Sequence, residues 1–306
     1  MMDRKERWRT LIPGFATDHF SVYKPSYPAP NITSSYCPGN ALLFLELCRW
    51  VYNTDDEETR VQPSKVPHDN PYLSKANMQE VRLFNLPSAQ ASLVCTKDQS
   101  CHILVFRGSS KVQDWVANLS ASATRWWGQG YIHQGFMESF TSIWEQLAPI
   151  LPKIETPLFY TGHSLGAAHA ALAASLHAPT ALYTYGSPRV GDQQFAEYMK
   201  DIPAYRIVNG QDIVTALPIS GRPLHYEHIG ELHHLGRSLR WNIFRLLISL
   251  RYLFRRRKFV IKKFANLDDP FHPPPFVLDH APYYYLLRLI KDYKAHQKML
   301  PTSQEF

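Results

Sequence analysis

The sequence predicts an α/β fold, with an open and mostly parallel sheet flanked by helices and a site along one edge of that sheet. Three observations carry this expectation. From residue 90 to residue 208, short apolar runs alternate with helical patterns. Several of the runs end in polar or glycine-rich turns, as in Arg107-Gly108-Ser109-Ser110, Gly186-Ser187-Pro188 and Asn209-Gly210-Gln211-Asp212. Polar groups at the carboxyl ends of strands are where open α/β sheets bind ligands. Finally, Gly162-His163-Ser164-Leu165-Gly166 fits G-x-S-x-G and lies between an apolar run and an alanine-rich stretch, the strand–turn–helix setting of a nucleophile elbow.

Taken in order, residues 40–52 have the apolar spacing of a buried helix. Residues 90–95 and 101–106 read as paired strands around a polar turn. The second of them, Cys101-His102-Ile103-Leu104-Val105-Phe106, is apolar enough for a central strand. A helix is expected from about Gly135 to Leu151, closed by Pro149 and Pro152. The elbow strand Pro157–Thr161 and the helix beginning at Ala167 follow. Ala181–Tyr185 is the next strand, a helix runs from Asp192 to Lys200, and Ala204–Val208 is a further strand.

Composition bounds the function. Of 306 residues, 45% are hydrophobic, including 16 Phe, 17 Tyr and 7 Trp, which suffices for a sizeable core. We expect a single domain over 1–306 with a basic and aromatic insertion at 235–275. The first residues carry charge with no apolar stretch behind them, so they do not read as a secretory signal. No run approaches the 18 or more apolar residues of a membrane-spanning helix. The chain therefore reads as cytoplasmic or peripheral to a membrane, unless a leader has been removed. Cys95 and Cys101 flank one turn, but two buried thiols are the plainer expectation than a bridge. No cysteine–histidine spacing suggests a metal site.

Around the elbow, Gly162 and Gly166 lack a β-carbon and let strand and helix approach closely about a strained serine. Ser164 then opens a helix, where backbone N–H groups favour developing negative charge. The competing role is a serine that only caps the helix. A serine hydroxyl needs an imidazole to accept its proton, and the imidazole needs a carboxylate. In α/β-hydrolases these follow in the order Ser, acid, His. Asp212 lies just beyond the strand Ala204–Val208, while the rival Asp192 follows Gly191 and looks more like a helix cap. Pattern alone does not choose among His225, His228, His233, His234, His272, His280 and His296.

At this point the chain resembles the class 3 lipases, typified by fungal triacylglycerol lipases. The likeness runs from about Ala91 to Tyr285 through six motifs in order: Val105–Ser109, Tyr131–Phe136, Thr161–Ala168, Tyr185–Gly191, Val208–Pro218 and Asp279-His280. It implies an α/β-hydrolase fold, with Ser164 as nucleophile, Asp212 as acid and His280 as base. It also implies an oxyanion hole formed by Ser109 and the N–H of Leu165. His228 is implied to be a structural histidine. Arg107 and Arg189 read as structural partners, and His163 should pack rather than react.

Two segments stand apart. In Lys111–Leu119, the residues Val112, Trp115, Val116 and Leu119 share one helical face, which suits either a lid over the site or an ordinary packed helix. Trp126-Trp127 would suit its hinge or an acyl-binding rim. Between Arg237 and Lys263 there are ten Lys or Arg and no acid. Against a net charge of +7, that +10 leaves about −3 for the rest of the chain. The segment interleaves this charge with Trp241, Phe244, Phe254 and Phe259, the composition of an interfacial helix for anionic lipid. Each basic residue at such a surface is worth on the order of 1 kcal/mol. A solvated excursion, or a patch for nucleic acid or a protein partner, is the competing role; nucleic acid is not the expected partner.

The sequence thus points to a serine carboxyl-ester hydrolase acting on lipid esters through an acyl-enzyme, with no cofactor and no metal. A phospholipase A1 or lysophospholipase at anionic membranes is the nearest alternative. A non-catalytic lipid-surface binding module is the more distant one.

Overall fold

The computed structural model describes residues 10–11, 18–22, 27–53, 70–109, 122–220, 225–236 and 275–299. The segments 111–119 and 237–263 singled out above lie outside the described residues. So does His272.

The strands are β1 (Met78–Asn85), β2 (Gln90–Thr96), β3 (His102–Phe106), β4 (Ala123–Arg125), β5 (Tyr131–His133), β6 (Leu158–His163), β7 (Ala181–Tyr185), β8 (Gly191–Asp192), β9 (Ala204–Asn209), β10 (Tyr226–Glu227) and β11 (Glu231–Leu235). The helices are α1 (Pro38–Trp50), α2 (Pro71–Ser74), α3 (Gln134–Leu147), α4 (Leu165–Leu176), α5 (Gln193–Tyr198), α6 (Pro275–Leu278) and α7 (Pro282–Met299). A seven-stranded sheet has the order β1-β2-β3-β6-β7-β9-β11. Its first three strands form an antiparallel meander, and β3, β6, β7, β9 and β11 run parallel. This is the mostly parallel, helix-flanked sheet of the α/β-hydrolase fold. A smaller antiparallel sheet, β10-β8-β5-β4, lies beside it.

Both faces of the large sheet are covered, so β6 and β7 are buried throughout and mostly apolar, with Thr161, His163 and Thr184 the polar exceptions. One face packs against α1 and α7, with Phe44, Phe159, Tyr183 and Tyr285 at the centre. The other packs against α3 and α4, around Phe106, Phe140, Tyr160 and Leu172. In α3 only Phe136, Phe140, Ile143 and Leu147 are buried, a single stripe at helical spacing. By contrast, α1 is buried from Gly39 to Trp50, including Glu46 and Arg49, which pair with each other. The Phe20 N–H donates to Glu46 Oε1 at 2.8 Å and ties an N-terminal segment onto this helix.

The parallel register decides where the site falls. Phe106 aligns with Gly162, His163 with Tyr185, and Tyr185 with Ile207. The carboxyl ends of β3, β6, β7 and β9 therefore reach one edge together. Ser109, Ser164, Gly186 and Asp212 are the residues that leave those ends.

Cys95 and Cys101 are both free and buried thiols. Residue Cys95 faces His102 across the ladder, not Cys101. Burial pushes the Cys101 thiol up to about 12. Among the described residues, no helix is long and apolar enough to cross a membrane.

Candidate active site

Ser164 sits at the turn between β6 and α4 with φ 59° and ψ −124°. A non-glycine residue held in that region carries on the order of 1–3 kcal/mol of strain. Its surroundings enforce the turn. A β-carbon on Gly162 would run into the Gly166 carbonyl, and one on Gly166 into the Phe106 carbonyl. The Ser164 N–H donates to the Tyr185 carbonyl at 2.9 Å. Ser164 is fully buried, and its side chain makes no helix-capping hydrogen bond.

The hydroxyl instead meets His280. Ser164 Oγ lies 3.0 Å from His280 Nε2. On the other side of the ring, His280 Nδ1 is 2.9 Å from both Asp212 Oδ1 and Oδ2. A carboxylate only accepts, so Nδ1 carries the proton and Nε2 is left to accept from the serine. Asp212 is completely buried at the start of a short 3-10 turn. Its Oδ1 also accepts from the Val214 N–H at 2.9 Å, and its Oδ2 from the Tyr285 hydroxyl at 2.6 Å. Burial, followed by the charge of Asp212, drives the Tyr285 phenol well above its ordinary value, so it remains a donor.

Two further features seat these groups. Gly186 has φ 56°, and a β-carbon there would come within 2.7 Å of Asp212 Oδ2 and 3.0 Å of His280 Nδ1. The histidine loop is also clasped to the acid loop. Asp279 Oδ2 accepts from the Gln211 N–H at 2.7 Å, and the Asp279 carbonyl accepts from Asn209 Nδ2 at 2.8 Å. Arg288 Nη2 lies 3.3 Å from Asp279 Oδ1.

Ser109 and Leu165 come from two elements. Ser109 follows β3, and the backbone at Phe106 and Arg107 lies against the start of α4 near Gly166. Leu165 is the first residue of α4, so its N–H is among those with no acceptor inside the helix. The remaining sequence candidates go elsewhere. Asp192 caps α5, its Oδ1 accepting from the Phe195 N–H at 2.9 Å. His234 bonds the Gly210 carbonyl at 3.0 Å, and His233 stacks on Tyr36 at 3.6 Å. Burial, with Arg206 and Arg189 nearby, lowers His228 to about 3, so it is neutral. Arg189 donates to the carbonyls of Ala216 at 2.6 Å and Pro218 at 2.9 Å, bracing the chain after Asp212. Arg107 bonds Gln90 and lies over the Tyr52 ring. Trp126 is buried, with its indole N–H donating to Ser175 Oγ, whereas Trp127 is exposed. Ser175 lies at the far end of α4 from Ser164.

Tyr285 was not among the candidate residues. It is one of three consecutive tyrosines, 283–285, and nothing in the sequence distinguishes the one that faces Asp212.

Residues 103–221 match the family described as lipase (class 3). That segment of the chain is therefore similar to the class 3 lipases. It is 37% identical over 139 residues to a lipase of Rhizomucor miehei, covering 38% of this chain and 37% of that protein. It is 36% identical over 134 residues to secreted mono- and diacylglycerol lipase 1 of Fusarium solani, covering 38% of this chain and 39% of the other. The alignments thus span less than half the length of these relatives. Among solved structures, the native propeptide complex of Rhizomucor miehei lipase superposes with a TM-score of 0.54 at 23% identity, over 78% of this chain and 82% of that one. That likeness concerns the fold.

Proposed function

We propose that the protein is a serine carboxyl-ester hydrolase acting on lipid esters. The observation that carries this is the buried series Ser164 Oγ, His280, Asp212, with separations of 3.0 and 2.9 Å at a strained strand-to-helix turn. The match of residues 103–221 to the class 3 lipases supports the same reading.

The chemistry follows from the donor directions. The Ser164 hydroxyl donates to His280 Nε2. As Oγ attacks an acyl carbonyl, that proton passes to Nε2 and the imidazole becomes positively charged beside Asp212. Asp212 remains ionised, held by His280, Val214 and Tyr285. The carbonyl oxygen becomes an oxyanion, which Ser109 and the Leu165 N–H stabilise by roughly 3 kcal/mol per donor. His280 then protonates the departing alcohol, leaving an acyl-Ser164 ester. Water enters, gives its proton to Nε2 and attacks the acyl carbon; collapse returns the proton to Ser164 and frees the carboxylic acid.

Hydrolysis of p-nitrophenyl esters of increasing acyl length tests this. Turnover in the native protein should fall by roughly a thousandfold or more in Ser164→Ala, and the profile over acyl length should separate esterase from lipase behaviour. Equal turnover in the variant would remove Ser164 from the chemistry. No turnover by the native protein on these esters, dispersed triglyceride or phospholipid would leave a lipid-surface binding module.

A further inference from the structure

His163 lies between Gly162 and Ser164 and is completely buried. A buried imidazole needs a hydrogen-bond partner for each of its nitrogens. Its Nε2 is 2.8 Å from the backbone carbonyl of His280, and its Nδ1 is 3.1 Å from the hydroxyl of Tyr52. A carbonyl only accepts, so Nε2 carries the proton. Burial, followed by the charge of neighbouring His280, holds His163 well below its ordinary value, so the ring is neutral and Nδ1 accepts from Tyr52. The Tyr52 hydroxyl also packs directly against Gly108, the residue before Ser109. The donor directions in the chain Tyr52, His163, His280 are therefore fixed.

Tyr52 comes from the 3-10 turn that ends α1, an element that contributes no group to the chemistry. It is nonetheless set tightly against the site. A β-carbon on Gly108 would collide with the Tyr52 hydroxyl and come within 2.6 Å of the His163 carbonyl. The His163 ring lies 4.6 Å from the His280 ring.

We propose that Tyr52 and His163 are positioning residues that tie the oxyanion strand end to the backbone of the general base. This rests on the hydrolase reading of the Ser164 site. The oxyanion donor and the base arise on different elements, β3 and the loop before α7. They must nonetheless hold a common geometry about one carbonyl, where displacement by about 1 Å costs on the order of a hundredfold in rate. The Tyr52 hydroxyl, packed against Gly108 and bonded through His163 to the His280 carbonyl, supplies that common reference. Removing the Tyr52 oxygen takes away the donor to His163 Nδ1 and the contact beneath Gly108 at once.

Three measurements on the full chain test it. Tyr52→Phe keeps the ring and removes the oxygen. A folded Tyr52→Phe protein should lose roughly ten- to a hundredfold in kcat on a soluble p-nitrophenyl ester, with KM within about twofold of native. His163→Gln retains an amide donor for the His280 carbonyl and should keep several-fold more kcat than His163→Leu. Nitrogen-15 NMR of histidine-labelled native protein should show His163 neutral with its proton on Nε2 from about pH 5 to about pH 9. Unchanged kcat in Tyr52→Phe, equal loss in the two His163 variants, or a proton on Nδ1 would overturn the proposal. A native protein inert toward every ester would instead sink the hydrolase reading, and the NMR tautomer would still decide the wiring.

Discussion

At the scale of residues, the site is defined by what a buried carboxylate requires. Asp212 is out of water and accepts from the Val214 N–H, His280 Nδ1 and the Tyr285 hydroxyl. Each donor stabilises the ionised form that the charged imidazole needs. Tyr285→Phe should therefore cost about 1–2 kcal/mol of stability and lower kcat by about five- to tenfold with little change in KM. Urea unfolding and steady-state kinetics check the two halves, and a variant with native kcat would show that Tyr285 only packs. Of these residues, Ser164 is legible in the sequence because its neighbours advertise it, two glycines between a buried strand and an alanine-rich helix. Asp212 is legible as the acid that closes a strand. His280 is not distinguishable by pattern from six other histidines, because nothing local marks which loop folds back across 68 residues to Asp212. Only the family-like pair Asp279-His280 singles it out. Tyr52 and Tyr285 leave no mark, since each acts through a single oxygen delivered by tertiary packing.

At the scale of elements, the elbow works because glycines let backbones approach where any side chain would collide. Gly186 ends β7 with φ 56° directly under the Asp212–His280 contact. Gly186→Ala adds one methyl in a conformation that L-residues avoid and pushes it against both partners. It should destabilise the protein by about 1–3 kcal/mol and reduce kcat more than it raises KM. Thermal melts with paired kinetics measure this; a stable, fully active variant would mean the pair has room to shift. The buried parallel strands were readable because both their faces are covered, so that β6 and β7 are mostly apolar. The edge strands β1 and β11 were not. Both have partly exposed residues along their length, and the polar run Glu231-Leu232-His233-His234 becomes a strand only by pairing with β9. The small β10-β8-β5-β4 sheet is built from strands of two or three residues, too short to leave a period in the sequence.

At the scale of the whole molecule, burial has been applied to basic groups as well as apolar ones. His19 and His169 are buried, and His228 is partly so. Burial, helped at His19 and His228 by nearby cations, lowers all three from 6.5 to about 3. Below about pH 6.5 the unfolded chain takes up these protons while the native state does not, so ν_U exceeds ν_N and stability falls with falling pH. The loss should begin near pH 6.5 and continue toward about pH 3. It amounts to roughly 1 kcal/mol per histidine by about pH 5.5. Thermal unfolding followed across this range should show Tm dropping before most carboxylates titrate, whereas a flat Tm between about pH 7 and about pH 5 would contradict it.

Whether the molecule is a serine hydrolase is decided most directly at the nucleophile itself. The native protein should be treated with an alkyl fluorophosphonate and the adduct mapped by peptide mass spectrometry. A serine activated by His280 should take up one phosphonyl group, on Ser164 alone, and His280→Ala should label slower by orders of magnitude. No adduct, an adduct on another residue, or equal labelling of the His280→Ala variant would contradict an activated Ser164.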